Sequence, residues 1–226
     1  MRKICFLLCL ILLLPFQASA AEQPKYIALT FDDGPSGLYT RALLAGLAVR
    51  QAKATFFLCG YRAEQHPELT EKIWQEGHEI GIHGYSHKNM APMSRRDIAA
   101  EIADTKALLP DRCPVRLLRP PGGCCSDGVH QVAGAMGLAV IGWSVDPRDW
   151  AVRDTAAVSR SIVDQVQDGD IILMHDTSES SVNAALNIVD ILTERGYVFV
   201  TVSELARLRE VRLIPGADYG KFLEDG

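Results

Sequence analysis

The segment Tyr26-Ile27-Ala28-Leu29-Thr30-Phe31-Asp32-Asp33-Gly34-Pro35 is the most informative stretch of this 226-residue chain. An apolar run typical of a buried strand ends in two adjacent carboxylates and a Gly-Pro turn. Such carboxylates contribute little to packing, and neighbouring side chains of an extended strand point to opposite sides. We therefore expect Asp32 and Asp33 to have different roles. Taken alone, the segment is also compatible with a calcium-binding loop or a strand cap.

Outward from this segment, short β-branched or aliphatic runs alternate with amphipathic helical patterns. This alternation predicts a parallel α/β architecture, and a composition of 48% hydrophobic and 23% charged residues suits one sizeable globular core. The predicted strands are Ile27 to Phe31, Ala54 to Leu58, Glu79 to Ile82, Val115 to Leu118, Ala139 to Trp143, Asp170 to Met174 and Val198 to Val200. The predicted helices are Leu43 to Val49, Leu69 to Trp74, Asp97 to Leu109, Val129 to Met136, Ala156 to Val166 and Val182 to Leu192.

Polar motifs follow the predicted strands at their carboxyl ends, the face that carries the active site in α/β barrels. Besides the Asp-Asp pair they are His83-Gly84-Tyr85-Ser86-His87, Arg119-Pro120-Pro121, Asp146-Pro147-Arg148-Asp149-Trp150 and Leu173-Met174-His175-Asp176. This set, in this order, resembles the polysaccharide deacetylases of the NodB-homology type (carbohydrate esterase family 4), from about Tyr26 to Leu205. The resemblance implies a distorted (β/α)7 barrel, and seven predicted strands suit such a barrel better than an eightfold one.

Asp33, His83 and His87 are the candidate metal ligands. Two imidazoles four residues apart can converge on one ion, and a carboxylate supplies a third ligand. Three protein ligands with an open position are the pattern of catalytic zinc. A bare H-x-x-x-H pair would favour two surface histidines beside a turn, but the accompanying motifs favour a metal site. Zinc is the expected ion, although the same ligands accept cobalt, manganese or iron.

The acid and base residues take their expected roles from the resemblance. Asp32 would be the base that accepts a proton from water, and Arg119 would fix and stabilise its carboxylate. His175 would be the acid that protonates the leaving amine, because imidazole titrates close to neutral pH. Asp149 would be the carboxylate that tunes this histidine. Without its companion motifs, Arg119 would be interpreted as a surface arginine on a proline-bounded loop.

Three further residues correspond to the substrate groove of the resembled family. Trp150 would form an aromatic wall, Leu173 would line the pocket for the acetyl methyl, and Gly122 would offer its backbone N–H to an oxyanion. Trp150 could instead belong to the core. The chain departs from the family pattern at Gly84, where Ser or Thr is usual, and we expect a looser metal loop. It departs again at Gly122, where Tyr is usual, and we expect a more open groove.

The first 20 residues predict a secretory signal peptide. Arg2 and Lys3 form a positive region, Ile4 to Leu14 an apolar region, and Ala18-Ser19-Ala20 a cleavage site. The apolar run is shorter than the roughly 20 residues that span a bilayer. We therefore expect residues 21–208 to form an exported deacetylase domain, secreted or associated with the cell wall, followed by a tail at 209–226.

The charge of the exported chain argues against nucleic acid as a partner. Loss of Arg2 and Lys3 takes the formal net charge from −5 to −7, and no basic cluster is present to bind phosphates. We expect a monomer that binds a glycan and retains no stable membrane span after cleavage.

Four cysteines remain after the leader, Cys59, Cys113, Cys124 and Cys125, in a compartment that permits disulfides. Cys59 and the adjacent pair follow strands at the active face, whereas Cys113 precedes a strand. We therefore expect one bond, from Cys59 to Cys124 or Cys125. Metal ligation by these thiols is the alternative, but the chain lacks a second Cys pair at zinc-finger spacing.

Several residues fit none of the motifs. His66, His78 and His130 are in this group, and we expect His78 to form a structural hydrogen bond near a strand start. In the tail, Tyr219 and Phe222 either pack back on the barrel or fray.

These features predict a secreted, metal-dependent hydrolase that removes acetyl groups from the N-acetylated amino sugars of a glycan. Peptidoglycan is the first expected polymer, and chitin-type oligosaccharides are the second. One alternative is an esterase that acts on the O-acetyl groups of a plant polysaccharide such as acetylxylan. The other is a catalytically silent glycan-binding domain.

Overall fold

The computed structural model describes residues 24–222, and the predicted signal peptide lies outside these residues. Strand β1 (Lys25–Gly34) is the longest of the described strands and the centre of the sheet. It pairs in parallel with β2 (Thr55–Leu58) and β6 (Ile171–His175) through its second half. It pairs with β7 (Tyr197–Val200) through its first half, also in parallel. Four strands thus meet along the segment on which the sequence analysis began.

The sheet continues from β2 through β3 (Glu79–Ile82), β4 (Leu117–Leu118) and β5 (Ala139–Ile141), and these neighbours are also parallel. An isolated bridge between Val145 and Ile172 joins the segment after β5 to β6 and closes the curled sheet. All seven predicted strands are present, each within a few residues of its expected bounds. The predicted distorted (β/α)7 barrel is confirmed.

Helices cover the outer face of the curled sheet. Two of them, α2 (Gly60–Gln65) and α8 (Val202–Leu208), were not predicted, because six or seven residues are too few for a helical period to stand out. None of the helices within residues 24–222 is long and apolar enough to cross a membrane. The six predicted helices are α1 (Gly37–Arg50), α3 (Pro67–Gln75), α4 (Arg95–Lys106), α5 (Asp127–Ala135), α6 (Thr155–Val163) and α7 (Glu179–Glu194).

The alternation of side chains along β1 separates two apolar layers. Ile27, Leu29 and Phe31 belong to the layer between the sheet and the surrounding helices. Ala28 belongs to a second cluster inside the curled sheet. Because alternate residues of a strand share a face, the side chain of Thr30 points into the same interior, above Ala28.

Helix α8 closes this interior at the amino ends of β2 and β3. The backbone N–H of Val202 donates to Oγ1 of Thr55 at 2.9 Å, and that of Ser203 donates to a carboxylate oxygen of Glu79 at 3.0 Å. The interior is therefore covered at the amino ends of the strands. The polar residues of the sequence motifs lie at the other end, where the carboxyl termini of the strands meet.

The tail packs back on the barrel. A short strand, β8 (Asp218–Tyr219), adds to β5 in parallel and extends the sheet by one strand. The side chain of Phe222 is 1% exposed and lies in the interior cluster, and the Tyr219 ring is 5.7 Å from the Phe222 ring. Residues beyond 208 therefore contribute directly to the sheet and the core.

The expected disulfide is wrong, because all four described cysteines are free. Cys59 is fully buried at the start of α2, where burial raises the pKa of its thiol above the ordinary range. Cys125 is exposed and Cys124 is half-buried, on the loop after β4. Their shared position at one end of the sheet did not bring the sulfur atoms together, since one thiol points into the core and the others remain near the solvent.

The docking of the tail can be measured by substitution of its buried aromatic ring. Phe222→Ala should lower the free energy of unfolding by about 3 kcal/mol or more, the usual cost of removing a buried Phe side chain. Ile214→Ala is the control in the same tail, because Ile214 is 57% exposed and should cost less than about 0.5 kcal/mol. Denaturant unfolding of the two variants checks this, and equal midpoints would mean that the tail does not pack on the barrel.

Candidate active site and metal centre

A β-bulge in β1 sets the positions of the two adjacent aspartates. The register of β1 with β2 shifts between Asp32 and Gly34, so Asp33 is an extra residue, and its φ of 70° lies in the left-handed region. A bulge interrupts the alternation of side chains and re-aims the residue it contains. The two carboxylates therefore converge on Nε2 of His83, Asp32 at 3.7 Å and Asp33 at 3.4 Å. The expectation that they point to opposite sides is wrong, because it assumed a regular strand.

The three expected metal ligands lie together. One carboxylate oxygen of Asp33, Oδ1, is 3.4 Å from Nε2 of His83 and 2.9 Å from Nε2 of His87. This oxygen is buried and has no hydrogen-bond partner of normal geometry within the described chain. Nδ1 of His83 lies 2.6 Å from the carbonyl oxygen of Arg119 and donates to it, which leaves the lone pair of Nε2 directed at the site. The donor set and its geometry suit a divalent cation.

The charges at this site suit a cation as well. Burial alone would raise the pKa of Asp33, but its close contacts with the two imidazoles hold the pKa far below its ordinary value. The contact with Asp33 in turn raises the pKa of His87. His87 has a φ of 58°, so two of the three ligands are held in the left-handed region. Backbone strain of this kind persists where the surrounding structure fixes it, and it clusters at functional sites.

The loop between His83 and His87 is held by Glu101 of α4. The carboxylate of Glu101 accepts hydrogen bonds from the backbone N–H groups of Tyr85 and Ser86, both at 2.7 Å, and from the Ser86 hydroxyl at 2.6 Å. The looser loop that we expected from Gly84 is therefore not observed. Sequence reasoning missed Glu101, because a glutamate on an amphipathic helix carries no signal that it contacts a loop sixteen residues earlier.

Arg119 is fully buried, so its interpretation as a surface arginine is wrong. Its guanidinium donates to Oδ1 of Asp32 and to Oγ1 of Thr30, both at 2.7 Å. It also donates to the carbonyl oxygens of Ile141 at 3.0 Å and Gly142 at 2.8 Å. Asp32 is 3% exposed, and this paired arginine holds its second oxygen toward the candidate metal site.

His175, the last residue of β6, lies opposite Asp32 in the register of β1 with β6. Its Nδ1 is 2.8 Å from one oxygen of the buried Asp149, and its backbone N–H donates to the other oxygen at 2.9 Å. Burial lowers the pKa of His175, but the hydrogen bond and charge of Asp149 outweigh burial and raise the pKa to about 9. The imidazole is therefore protonated at neutral pH, and Nε2–H remains available as a proton donor.

The three groove residues have different exposures. Trp150 is 59% exposed, and the Arg148 guanidinium lies 5.4 Å from its ring, so the core alternative for Trp150 is wrong. Leu173 is 5% exposed and precedes His175 by two positions on the same face of β6. Gly122 is exposed, with a φ of 66° in the turn after β4. Only a glycine adopts this conformation without strain.

Asp176 supports the site from below. Asp176 is fully buried against Gly34, where an added Cβ would come within 2.5 Å of its carboxylate. Burial raises the pKa of Asp176 to about 7. Outside the site, the backbone N–H of Ala54 donates to Nδ1 of His78 at 3.2 Å, so the structural role expected for His78 is confirmed.

Comparison with known proteins identifies similar chains. The profile of a family described as polysaccharide deacetylase matches residues 19–141. The chain is 39% identical over 191 residues to a peptidoglycan-N-acetylglucosamine deacetylase of Bacillus cereus, which covers 82% of this chain and 90% of that protein. It is 32% identical to a chitooligosaccharide deacetylase of Sinorhizobium fredii, which covers 76% of this chain and 87% of that protein.

Some relatives are longer than this chain. The peptidoglycan-N-acetylmuramic acid deacetylase PdaC of Bacillus subtilis is 35% identical over 88% of this chain, but the match spans only 42% of that protein. Among solved structures, a family 4 acetyl xylan esterase of Clostridium thermocellum in complex with a cobalt ion superposes with a TM-score of 0.81 and 32% identity. That match covers 87% of this chain and 98% of that structure.

The contact between Glu101 and the metal loop leads to a prediction about metal retention. Glu101→Ala removes three hydrogen bonds from the loop that carries His87, and we expect metal affinity to fall by roughly 10- to 100-fold, as for other groups that orient ligands. Competition with a chromophoric chelator measures the affinity. Glu64→Ala is the matched control, because within residues 24–222 Glu64 accepts only the Tyr85 hydroxyl, at the outer side of the same loop. Unchanged affinity in Glu101→Ala would contradict the role of this carboxylate.

Proposed function

The chain belongs to the polysaccharide deacetylase family, and from this premise we propose that it is a metal-dependent hydrolase that removes N-acetyl groups from the amino sugars of a glycan. The observation that carries the proposal is the meeting of three groups at the carboxyl ends of β1, β3, β4 and β6. These groups are the Asp33-His83-His87 ligand set, the Asp32–Arg119 pair and the His175–Asp149 pair. A catalytically silent glycan-binding domain would have no need of all three.

The residues present fit a divalent cation. Asp33, His83 and His87 would hold it, because Oδ1 of Asp33 has no hydrogen-bond partner in the described chain and the contact of His83 Nδ1 with the Arg119 carbonyl oxygen turns Nε2 toward the site. Zinc is the first candidate, with cobalt or manganese as alternatives. A divalent ion at this position would act as a Lewis acid toward a carbonyl group and would lower the pKa of water.

Asp32 would act as the base of the reaction. Arg119 holds one of its oxygens, and the other lies on the side of the ligand set, where it can accept a proton from a water molecule. The hydroxyl then adds to the acetyl carbon. The N–H of Gly122, which donates no hydrogen bond within residues 24–222, would stabilise the negative charge on the acetyl oxygen.

His175 would act as the acid. Asp149 holds Nδ1 and keeps the imidazole protonated, so Nε2–H can give its proton to the sugar nitrogen as the bond between carbon and nitrogen breaks. The products are acetate and a free amino sugar. Trp150 is exposed beside this pair and would contact the sugar, and Leu173 would line the pocket of the acetyl methyl.

The polymer proposed first is peptidoglycan, because two relatives that are 39% and 35% identical to this chain over the aligned residues are named peptidoglycan deacetylases. Chitin-type oligosaccharides are second, supported by the chitooligosaccharide deacetylase. Hydrolysis of O-acetyl esters, as in acetylxylan, is a separate candidate function, favoured by the similarity to the acetyl xylan esterase structure. Ester and amide hydrolysis share the oxyanion step and differ in the leaving group.

Export would precede activity on such polymers. The charged, apolar and small-residue segments within residues 1–20 support a cleaved leader. The protein would then act outside the membrane or in the cell wall, as a monomer with a glycan as its partner.

The proposed function is tested by acetate release from peptidoglycan, chitin oligomers and acetylxylan, with and without a chelator. We expect release from an N-acetylated substrate that the chelator abolishes and Zn²⁺ or Co²⁺ restores. Asp32→Asn should retain metal and lose roughly 100-fold or more of the rate, because an amide cannot accept the proton. Asp104→Asn, at an exposed position on α4, should retain the parent rate. Release only from acetylxylan would favour the esterase, and full release without metal would refute the proposal.

The proposed acid leads to a prediction about pH dependence. An acid must be protonated to act, so the rate should fall as the pH rises through the pKa of His175, about 9. Asp149→Asn removes the charge that raises this pKa. The alkaline limb of the pH–rate profile should therefore move to lower pH, by about one unit or more.

Asp154→Asn is the matched control for this measurement, because Asp154 caps α6 at an exposed position and should not move the limb. An alkaline limb that stays in place in Asp149→Asn would remove His175 from the role of acid.

A further inference from the structure

A second group of metal-ligating side chains lies apart from the Asp33-His83-His87 set. Cys125 lies in the loop after β4, His130 lies on α5, and Asp218 is the first residue of β8. Their sulfur, nitrogen and oxygen atoms all lie within 4.8 Å of one another. The family motifs include none of these residues.

The three groups combine an ion pair with a thiol close to the same carboxylate. Nε2 of His130 is 2.7 Å from Oδ2 of Asp218, and Sγ of Cys125 is 3.9 Å from Oδ1 of the same carboxylate. Nε2 of His130 is nevertheless inaccessible to solvent and makes no hydrogen bond of normal geometry within the described residues. In a tetrahedral zinc site with bonds of about 2.0 Å to nitrogen or oxygen and about 2.3 Å to sulfur, ligand atoms lie roughly 3.3–3.6 Å apart. The observed separations bracket this range.

The order of the three groups excludes a nucleophilic triad. In such a triad the imidazole lies between the nucleophile and the carboxylate, where it takes the proton of the nucleophile. Here the carboxylate of Asp218 lies between the Cys125 thiol and the His130 imidazole. The neighbour of the thiol is therefore a carboxylate and not an imidazole, and the three groups can serve as ligands around a common point.

We propose that Cys125, His130 and Asp218 form a second metal site, which binds a borderline-soft divalent cation such as Zn²⁺. A thiolate, an imidazole and a carboxylate are all zinc ligands, and the thiolate disfavours Mg²⁺ or Ca²⁺. Three protein ligands leave one position of a tetrahedral ion to water.

The three ligands belong to segments that are otherwise fixed. Ser126 caps α5 by accepting a hydrogen bond from the N–H of Val129, which holds the turn between Cys125 and His130. Asp218 is fixed by the pairing of β8 with Val140 of β5. An ion at this point would clamp the tail strand to α5 and to the loop that also carries Gly122, so the tail and the groove would be joined by one metal.

Cobalt spectroscopy distinguishes this site from the first. Thiolate ligation of Co²⁺ produces a sulfur-to-metal charge-transfer band, and the Asp33-His83-His87 set contains no sulfur. The reduced protein titrated with Co²⁺ should show this band, and His83→Ala should retain it. Cys125→Ser should lose the band together with one equivalent of bound metal.

The matched control is Cys124→Ser, because the neighbouring thiol lies outside the ligand set, 3.7 Å from the Gly122 carbonyl oxygen. It should keep the band. His130→Ala should keep the fold, since its side chain is half-buried, and should raise the Co²⁺ concentration for half-saturation by about tenfold or more.

A reduced parent protein without the band would overturn the proposal, and so would a band that survives in Cys125→Ser. Metal content and spectra are read without any substrate, so the result is independent of whether the protein releases acetate. Far-ultraviolet circular dichroism of each variant separates loss of the ligand from loss of the fold.

Discussion

The buried guanidinium of Arg119 is the interaction on which both halves of the active site depend. Its side chain holds Asp32, while its backbone carbonyl accepts the Nδ1–H of His83, so one residue orients the proposed base and a proposed metal ligand. Removing a guanidinium from water is costly unless every donor is satisfied. Here the guanidinium donates hydrogen bonds to side-chain and backbone oxygens, and it lies 4.1 Å from the centre of the Phe57 ring. The arginine can be replaced by neither a lysine nor an apolar residue without leaving buried oxygens unpaired.

This arrangement requires the irregularity of β1. A regular strand would have placed Asp33 in the layer beneath the helices, where Ile27, Leu29 and Phe31 lie. The bulge turns Asp33 back to the interior, beside Asp32 and close to both histidines. The cost is a residue in the left-handed region, and the close packing of Asp176 beneath Gly34 holds it there. The parallel sheet thus places both aspartates at the carboxyl end of β1, and the extra residue of the bulge makes their carboxylates converge.

The fold and the identity of the site residues could be predicted because they depend on local patterns. Short apolar runs that alternate with amphipathic helical patterns located all seven strands. Polar residues at the strand ends, such as Asp32, His83 and His175, marked the active face. What could not be predicted depends on contacts between distant segments. The bulge at Asp33 requires the register with β2, and the burial of Cys59 requires the packing of α2. A sequence shows that such residues are present but not which segment they will meet.

The departure at Gly84 illustrates how such distant contacts change the interpretation of a motif. The Ser or Thr usual at this position in the family suggested that the chain had lost a tie within its metal loop. In the structure Glu101 supplies the tie, and Gly84 has a φ of 78° at which any Cβ would lie 2.6 Å from the methyl group of Met90 and 3.3 Å from the Glu101 carboxylate. A side chain at position 84 would therefore clash with Met90 and crowd the Glu101 carboxylate. Gly84 leaves room for the Glu101 carboxylate, and that carboxylate holds the metal loop. The glycine is therefore no sign that the site has lost its function.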